Sequence, residues 1–339
     1  MRSIGTEHIC TLRRSLERAG RIVITSHVHP DGDAVGSSVA MLSYLTEILG
    51  KDARLLLPEL PPANLAFIIP ESLRDRVFYG PEKAGEAIRG CSLLICMDCN
   101  GFSRTEALAP YFEQVEALRI LIDHHVGPET GQFDLVFSET EISSASELAY
   151  YILRALGQPL PPACATALMA GMTTDTNNFA NSVYPSTLAM AADLLAAGVD
   201  RDYILDQLYH QCSENRIRLM GHVLSDLLTI TEEGAAYIIL RKEDKERYRI
   251  TEGDTEGFVN IPLTIAQVRI SVFIKEEEGL FRVSIRSRKD VSARTLAMRF
   301  FHGGGHEQAA GGKILFSEDI PGPEAARAYL ATILKQFLS

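Results

Sequence analysis

The chain is 339 residues long, 46% hydrophobic and 23% charged, with a formal net charge of −11. That balance fits a soluble globular protein with a sizeable core, and the length corresponds to about two domains. An acidic chain without a Lys/Arg block disfavours a surface that tracks long nucleic acid by its backbone, and points to a small anionic partner or a very short oligonucleotide held locally. The opening residues, MRSIGTEHICTLRRSLERAG, lack the apolar core of a signal peptide, and no apolar run reaches the ~18 residues that would span a membrane. The expectation is a cytoplasmic protein off the membrane. Six scattered cysteines, with Cys96 and Cys99 as a lone C-x-x-C, read as packing thiols in a reducing compartment.

In chain order, RIVITS (21–26) reads as a buried strand and AVGSSVAMLSYLTEILG (34–50) as a helix stopping at Gly50. ARLLLP (53–58), SLLICMD (92–98) and LRILID (118–123) read as further strands, with helices such as PEKAGEAIRG between them. This alternation predicts βαβ units: an α/β domain with a mostly parallel sheet and flanking helices. From 198 to 229 apolar residues recur at spacings of three and four, which reads as a helical connection. Beyond it AAYIILRKED, AQVRISVFIKEEEGLFRVSIRSR and GKILFSE read as strands of a smaller mixed-sheet α/β domain, with helices at 292–301 and 323–337. The expected organisation is a first domain over 1–197, a helical linker over 198–229 and a second domain over 230–339.

Polar residues gather where the predicted strands end, the usual place for function in a parallel sheet. SHVHPDGDAVGSS (26–38) carries His27, His29, Asp31 and Asp33 just after the first strand. A turn explains Asp-Gly, and a helix cap explains Asp33. The H-x-x-x-D-x-D spacing also suits a loop folded round a hard divalent cation. ICMDCN ends a strand with Asp98, LIDHHVGP ends another with Asp123, His124 and His125, and AGMTTDTNNFANS places Asp175 among small polar residues. These four clusters supply carboxylates and imidazoles without thiolates, a donor set for two hard or borderline cations. His29 reads as an ordinary loop residue. Farther on, HGGGHEQAAGG (302–312) brings Gly304, Gly305 and His306 together, and glycines let backbone N–H groups approach an anion closely. Arg286 in SIRSRKD offers a bidentate fork for a phosphate, and Arg104 in NGFSRTE is a third candidate for substrate contact.

Taken in order, SHVHPDGDAVGS, MDCNGFSR, IDHHVGP and GMTTDTNNF resemble the motifs of the DHH phosphoesterase family. RSRKDVSARTLAMRFFHGGGHEQAAGG resembles the family's associated C-terminal domain. The resemblance covers nearly the whole chain. It is strongest to compact two-domain members that degrade very short RNA and remove the 3′-phosphate of 3′-phosphoadenosine 5′-phosphate (pAp). It implies two divalent cations, Mn²⁺ first, with Mg²⁺, Co²⁺ or Fe²⁺ as alternatives. His27 and Asp31 would be ligands of one, Asp33, His124 and Asp175 of the other, and Asp98 would bridge them. His125 would face the substrate phosphate, or protonate the leaving oxygen, and Asp123 would support a ligand or the loop from behind. Arg286, His306, Gly304 and Gly305 would hold an end phosphate while the scissile phosphorus sits on the metals. Short oligonucleotides or nucleotides are the implied partners, without long duplexes or membranes, and a homodimer is implied as well. The rival readings are hydrolysis of cyclic-di-AMP or its linear product, an inorganic pyrophosphatase, and a catalytically silent nucleotide sensor. One departure stands out: Asn177 occupies a position where the family's fourth motif often has glycine. Asparagine tolerates left-handed backbone, so the turn is expected to survive, and the change bears on substrate preference rather than on metal binding.

Overall fold

Arg21–Thr25 is the β-branched, apolar kind of segment that a parallel strand buried on both faces requires. It forms β1, and its last four residues are buried. The structure is a computed structural model that describes residues 5–251, 253–305 and 307–338. The chain folds into two units, Met1–Gln211 and Cys212–Ser339.

In the first unit β1 is joined by β2 (Asp52–Leu57), β3 (Val77–Tyr79), β4 (Cys91–Met97), β5 (Leu118–Asp123) and β6 (Leu135–Ser138). The order is β3-β2-β1-β4-β5-β6 and every pairing is parallel. The strand order reverses between β1 and β4, and the carboxyl ends flanking such a reversal form the crevice where open parallel sheets bind ligands. Ile22 and Ile24 pack into the larger core on one face, and Val23 packs with Leu94, Cys96 and Phe102 on the other. Cys96 and Cys99 are buried free thiols in that second cluster, as expected.

The helices here are α1 (Thr6–Arg18), α2 (Gly32–Ser43), α3 (Ala84–Ala87), α4 (Ala109–Gln114), α5 (Ala145–Leu156), α6 (Pro162–Asp175), α7 (Pro185–Ala196) and α8 (Arg201–Tyr209). All twelve residues of α2 are buried. α2 meets α6 at glycines: a Cβ on Gly36 would lie 2.6 Å from the Ala167 carbonyl oxygen, and one on Gly171 would lie 2.1 Å from Ser146 Oγ of α5. Three helices thus converge beside the sheet ends. The helix expected over 34–50 begins two residues earlier and ends in a wider turn, Tyr44–Ile48. PEKAGEAIRG supplies only a 3₁₀ turn and the four-residue α3.

The second unit holds β7 (Leu228–Ile230), β8 (Ala235–Leu240), β9 (Ile270–Glu277), β10 (Leu280–Ser287), β11 (Gly304–Gly305) and β12 (Ala309–Leu315), in order β11-β12-β10-β9-β8-β7. Only β8 and β9 pair in parallel, so the sheet is mixed. Its helices are α9 (Glu214–His222), α10 (Lys242–Arg247), α11 (Ala293–Phe300) and α12 (Ala326–Leu338). The segment 198–229 contains α8, in the first unit, and α9, in the second, and β7 has begun by Leu228. Among the described residues no helix is long and apolar enough to cross a membrane.

Candidate metal centre

The chain leaves β1 at Thr25 and passes through buried Ser26 and His27 to Asp31, the residue before α2. Asp31 is the helix cap: its Oδ1 accepts the N–H groups of Asp33 and Ala34, both at 3.0 Å. This corrects the alternative that gave capping to Asp33. Asp33 sits in the first turn of α2, fully buried, and its two oxygens accept Ala145 N–H at 2.6 Å and Ser146 N–H at 2.9 Å. Those amides open α5, so a helix N-terminus steadies this carboxylate.

Asp98 follows β4 with φ +50°, a left-handed backbone uncommon for residues other than glycine, and its N–H is anchored at 2.9 Å on the Ile122 carbonyl. The turn aims a buried carboxylate at three histidines. Oδ2 lies 3.5 Å from His27 Nε2, and Oδ1 lies 3.4 Å from His124 Nε2 and 3.5 Å from His125 Nδ1. His124 Nε2 is also 3.4 Å from Asp175 Oδ2 and 3.9 Å from Asp33 Oδ2. Asp123, buried at the end of β5, holds His125 Nδ1 at 2.8 Å. His27 Nδ1 lies 2.7 Å from the Val28 carbonyl. A carbonyl only accepts, so Nδ1 carries a proton and the Nε2 of a neutral ring faces Asp98 with its lone pair free.

Among the described residues the donor atoms fall into three overlapping sets, each within 4.8 Å: His27, Asp31 and Asp98; Asp33, His124 and Asp175; and Asp98, His124 and His125. The expected ligands are therefore brought together. Asp175, however, comes from the end of α6 and not from a sheet edge. Buried Asp98 Oδ1 has no hydrogen-bond partner among the described residues. An orphaned anionic oxygen among imidazoles and carboxylates, with no thiolate in the set, fits a hard or borderline divalent cation.

The electrostatics point the same way. Burial works against the Asp98 charge, but the neighbouring His124 and His27 imidazoles hold its pKa down at about 2. Burial opposes the charge on both imidazoles too; Asp98 outweighs it, raising His27 to about 9 and, with Asp33 and Asp175 contributing, His124 to about 10. Burial lifts Asp175 to about 6, with His124 opposing and Asp98 and Asp31 adding to the rise. Burial, then the Asp98 and Asp175 charges, push Asp33 well up. The hydrogen bond that His125 donates to Asp123 raises the His125 pKa. Clustered carboxylates of this kind call for positive charge.

The turn after Asp175 keeps the left-handed form expected of it: φ is +46° at Asn177, +56° at Asn178 and +66° at Phe179. The Arg104 carbonyl accepts Val28 N–H at 2.8 Å, which ties its loop to that of His27. His29 lies at the exposed edge, where its ring Nδ1 is 2.6 Å from Glu59 Oε1. In the second unit, β10 places half-buried Arg286 opposite Ala309 of β12, and Gly305 of β11 pairs with the adjoining Ala310. Arg286 Nη1 donates to the Ile285 carbonyl at 2.9 Å, and burial lowers the guanidinium pKa. The glycine run is a close-packed edge: a Cβ on Gly303 would sit 1.9 Å from the Gly311 carbonyl oxygen. His306 lies outside the described residues.

Reading the sequence missed Ala145 and Ser146, the donors to Asp33. The signal was present, since Ser144-Ala145-Ser146-Glu147 has the S-x-x-E form of a capping box, and Ser144 Oγ accepts Glu147 N–H at 3.0 Å.

The DHH family N-terminal domain matches residues 21–172, and the DHHA1 domain matches 234–333. A Thermus thermophilus protein described as bifunctional oligoribonuclease and PAP phosphatase NrnA is 32% identical over 295 residues, covering 86% of this chain and 83% of the relative. A Bacillus subtilis protein of the same description is 28% identical over 311 residues, covering 89% and 92%. The crystal structure of an exopolyphosphatase-related protein from Bacteroides fragilis superposes with a TM-score of 0.90 at 32% identity, over 100% of this chain and 98% of that one. Shared sequence and shared fold, over both units, make this chain a member of the DHH family and a metal-dependent phosphoesterase.

Proposed function

We propose that the enzyme hydrolyses very short oligoribonucleotides and linear dinucleotides and removes the 3′-phosphate of pAp, with two divalent cations, Mn²⁺ first among them. The observation that carries this reading is the position of Asp98, whose two oxygens face His27 on one side and His124 on the other. One carboxylate between two ligand sets is what a pair of neighbouring cations needs. His27, Asp31 and Asp98 would hold one ion, and Asp33, His124 and Asp175, with Asp98, the other. Bound there, such a pair polarises a phosphoryl oxygen and lowers the pKa of water. The relatives described as oligoribonucleases and PAP phosphatases support the choice of substrate.

The remaining work falls to side chains. His125 is anchored through Nδ1 on Asp123, and its raised pKa makes it hold a proton more firmly than a free imidazole. It serves as the donor to a phosphoryl or leaving oxygen. Arg286, with the backbone of Gly304 and Gly305 and with His306, is the proposed anchor for a second phosphate, and Arg104 a further contact. Half-burial of Arg286 strengthens its pull on an anion, because less water screens it. Local cations of this kind let a chain of net charge −11 take an anionic substrate.

The test is product analysis with Mn²⁺ on pAp, a 5′-phosphorylated dinucleotide, a 24-mer RNA and pyrophosphate. Turnover of the first two with the 24-mer nearly untouched is expected. Turnover of pyrophosphate alone, or equal cleavage of the 24-mer, would overturn the reading. Asp98→Ala should abolish turnover while the protein stays folded by circular dichroism. Its loss should exceed the roughly 10–100-fold that removal of an outer partner of a metal ligand costs.

A further inference from the structure

Glu147 is fully buried on the first turn of α5, beside the centre but outside every set of metal-ligating atoms. Its Oε2 accepts three hydrogen bonds: from Ser143 N–H at 3.1 Å, from the Ser143 hydroxyl, and from Thr187 Oγ1 at 2.7 Å. Its Oε1 is buried with no hydrogen-bond partner among the described residues. Burying a carboxylate is costly unless hydrogen bonds compensate its lost water. Here they join two helix starts. Ser143 leads into α5, whose Ala145 and Ser146 amides hold the two oxygens of Asp33. Thr187 lies in the first turn of α7 and accepts Tyr184 N–H at 3.1 Å, which closes the chain segment that runs on from Asp175. The packing leaves little slack, since a Cβ on Gly171 would lie 2.1 Å from Ser146 Oγ and 3.0 Å from Asp33 Oδ1.

We propose that Glu147 is a positioning residue for the subsite of Asp33, His124 and Asp175: it clamps the starts of α5 and α7 so that the α5 amides fix the Asp33 carboxylate for one of the two cations. This rests on the two-cation reading above. The His27–Asp31 subsite, built on the loop after β1, is outside the clamp. Glutamine keeps a carbonyl oxygen for the three donors and removes the charge, so the Glu147→Gln variant separates hydrogen bonding from charge in this role.

The experiment is calorimetric titration of the full-length, metal-stripped protein with Mn²⁺, alongside kcat and KM for a phosphorylated dinucleotide. Wild type should bind two ions. Glu147→Ala should bind one as wild type does and the other about 10–100-fold more weakly, the cost usual for losing an outer partner of a ligand. Its kcat should fall with KM little changed, and Glu147→Gln should restore most of both. Thr187→Val and Ser143→Ala each remove one donor to Glu147 and should weaken the same ion several-fold. These two decide the matter if Glu147→Ala does not fold. Equal, undiminished binding of both ions in the folded variants, or uniform weakening of both, overturns the positioning role. Fewer than two ions in the wild type would overturn the two-cation reading itself, which is a different outcome.

Discussion

His27, Asp31 and Asp33 fall within seven residues, yet each does something different: one ring faces Asp98, one carboxylate caps a helix, and the other takes two amides from α5. Proton linkage at this site has a definite sign. His27 and His124 titrate near 9 and 10 when folded, above 6.5. Their contribution to stability is complete below about 6.5 and is lost as pH rises through those values. Asp175, raised to about 6 from 3.8, acts in the same direction at lower pH. Asp98, depressed to about 2, contributes above 3.8 and loses its effect only as pH falls toward 2. In EDTA, the melting temperature should therefore be lower at pH 9.5 than at pH 6, and Mn²⁺ should narrow the gap. The same protons must leave before a cation can bind. Mn²⁺ affinity at neutral pH should rise by about tenfold per pH unit for each proton displaced. Calorimetry in two buffers of different ionisation enthalpy would count those protons, and an affinity flat from pH 6 to 8 would contradict the assignment.

Among the elements, the strands β1, β2, β4 and β5 were readable because each is a short apolar run bounded by polar or turn-forming residues. The buried helix α6 was not. Cys164, Ala165 and the run Ala167–Thr173 of α6 are buried, so no polar face marks a helical period, and the segment reads as a small-residue stretch ending in Asp175. The short β3 and β6 gave too little pattern to find. Glycine contacts between helices carry a prediction at this scale. Gly36→Ala would press a methyl group against backbone of α6, which cannot step aside as a side chain can. It should destabilise the protein by about 1–3 kcal/mol, read from urea unfolding of the metal-free form. An unchanged midpoint would show that α2 and α6 have room to part.

For the whole molecule, the proposed function divides chemistry and recognition between the two units. Arg286 belongs to the mixed sheet of the second unit, and none of the metal-ligating sets of the first unit includes it. Arg286→Ala should leave Mn²⁺ binding and melting unchanged. It should lower kcat/KM for a phosphorylated dinucleotide by about 10–100-fold, the loss of one charged hydrogen-bonding partner at about 1.5–3 kcal/mol. The effect should fall mainly on KM. Loss of metal binding in this variant would mean that the arginine has a structural task instead.

The sequence by itself determined the α/β class, the mixed second sheet and the candidate ligand types, because alternating strands and helices leave periodic traces and because most of the imidazole and carboxylate clusters directly follow apolar strand-like runs. Asn177 was legible as well, since tolerance of a left-handed backbone belongs to the residue. Tertiary structure decided which aspartate caps α2, that Asp175 arrives from a helix end, and that Glu147 lies behind Asp33. Carboxylates are alike in a sequence. Their roles are set by which N–H groups, imidazoles and neighbouring charges reach them, and those partners lie up to 113 residues away along the chain.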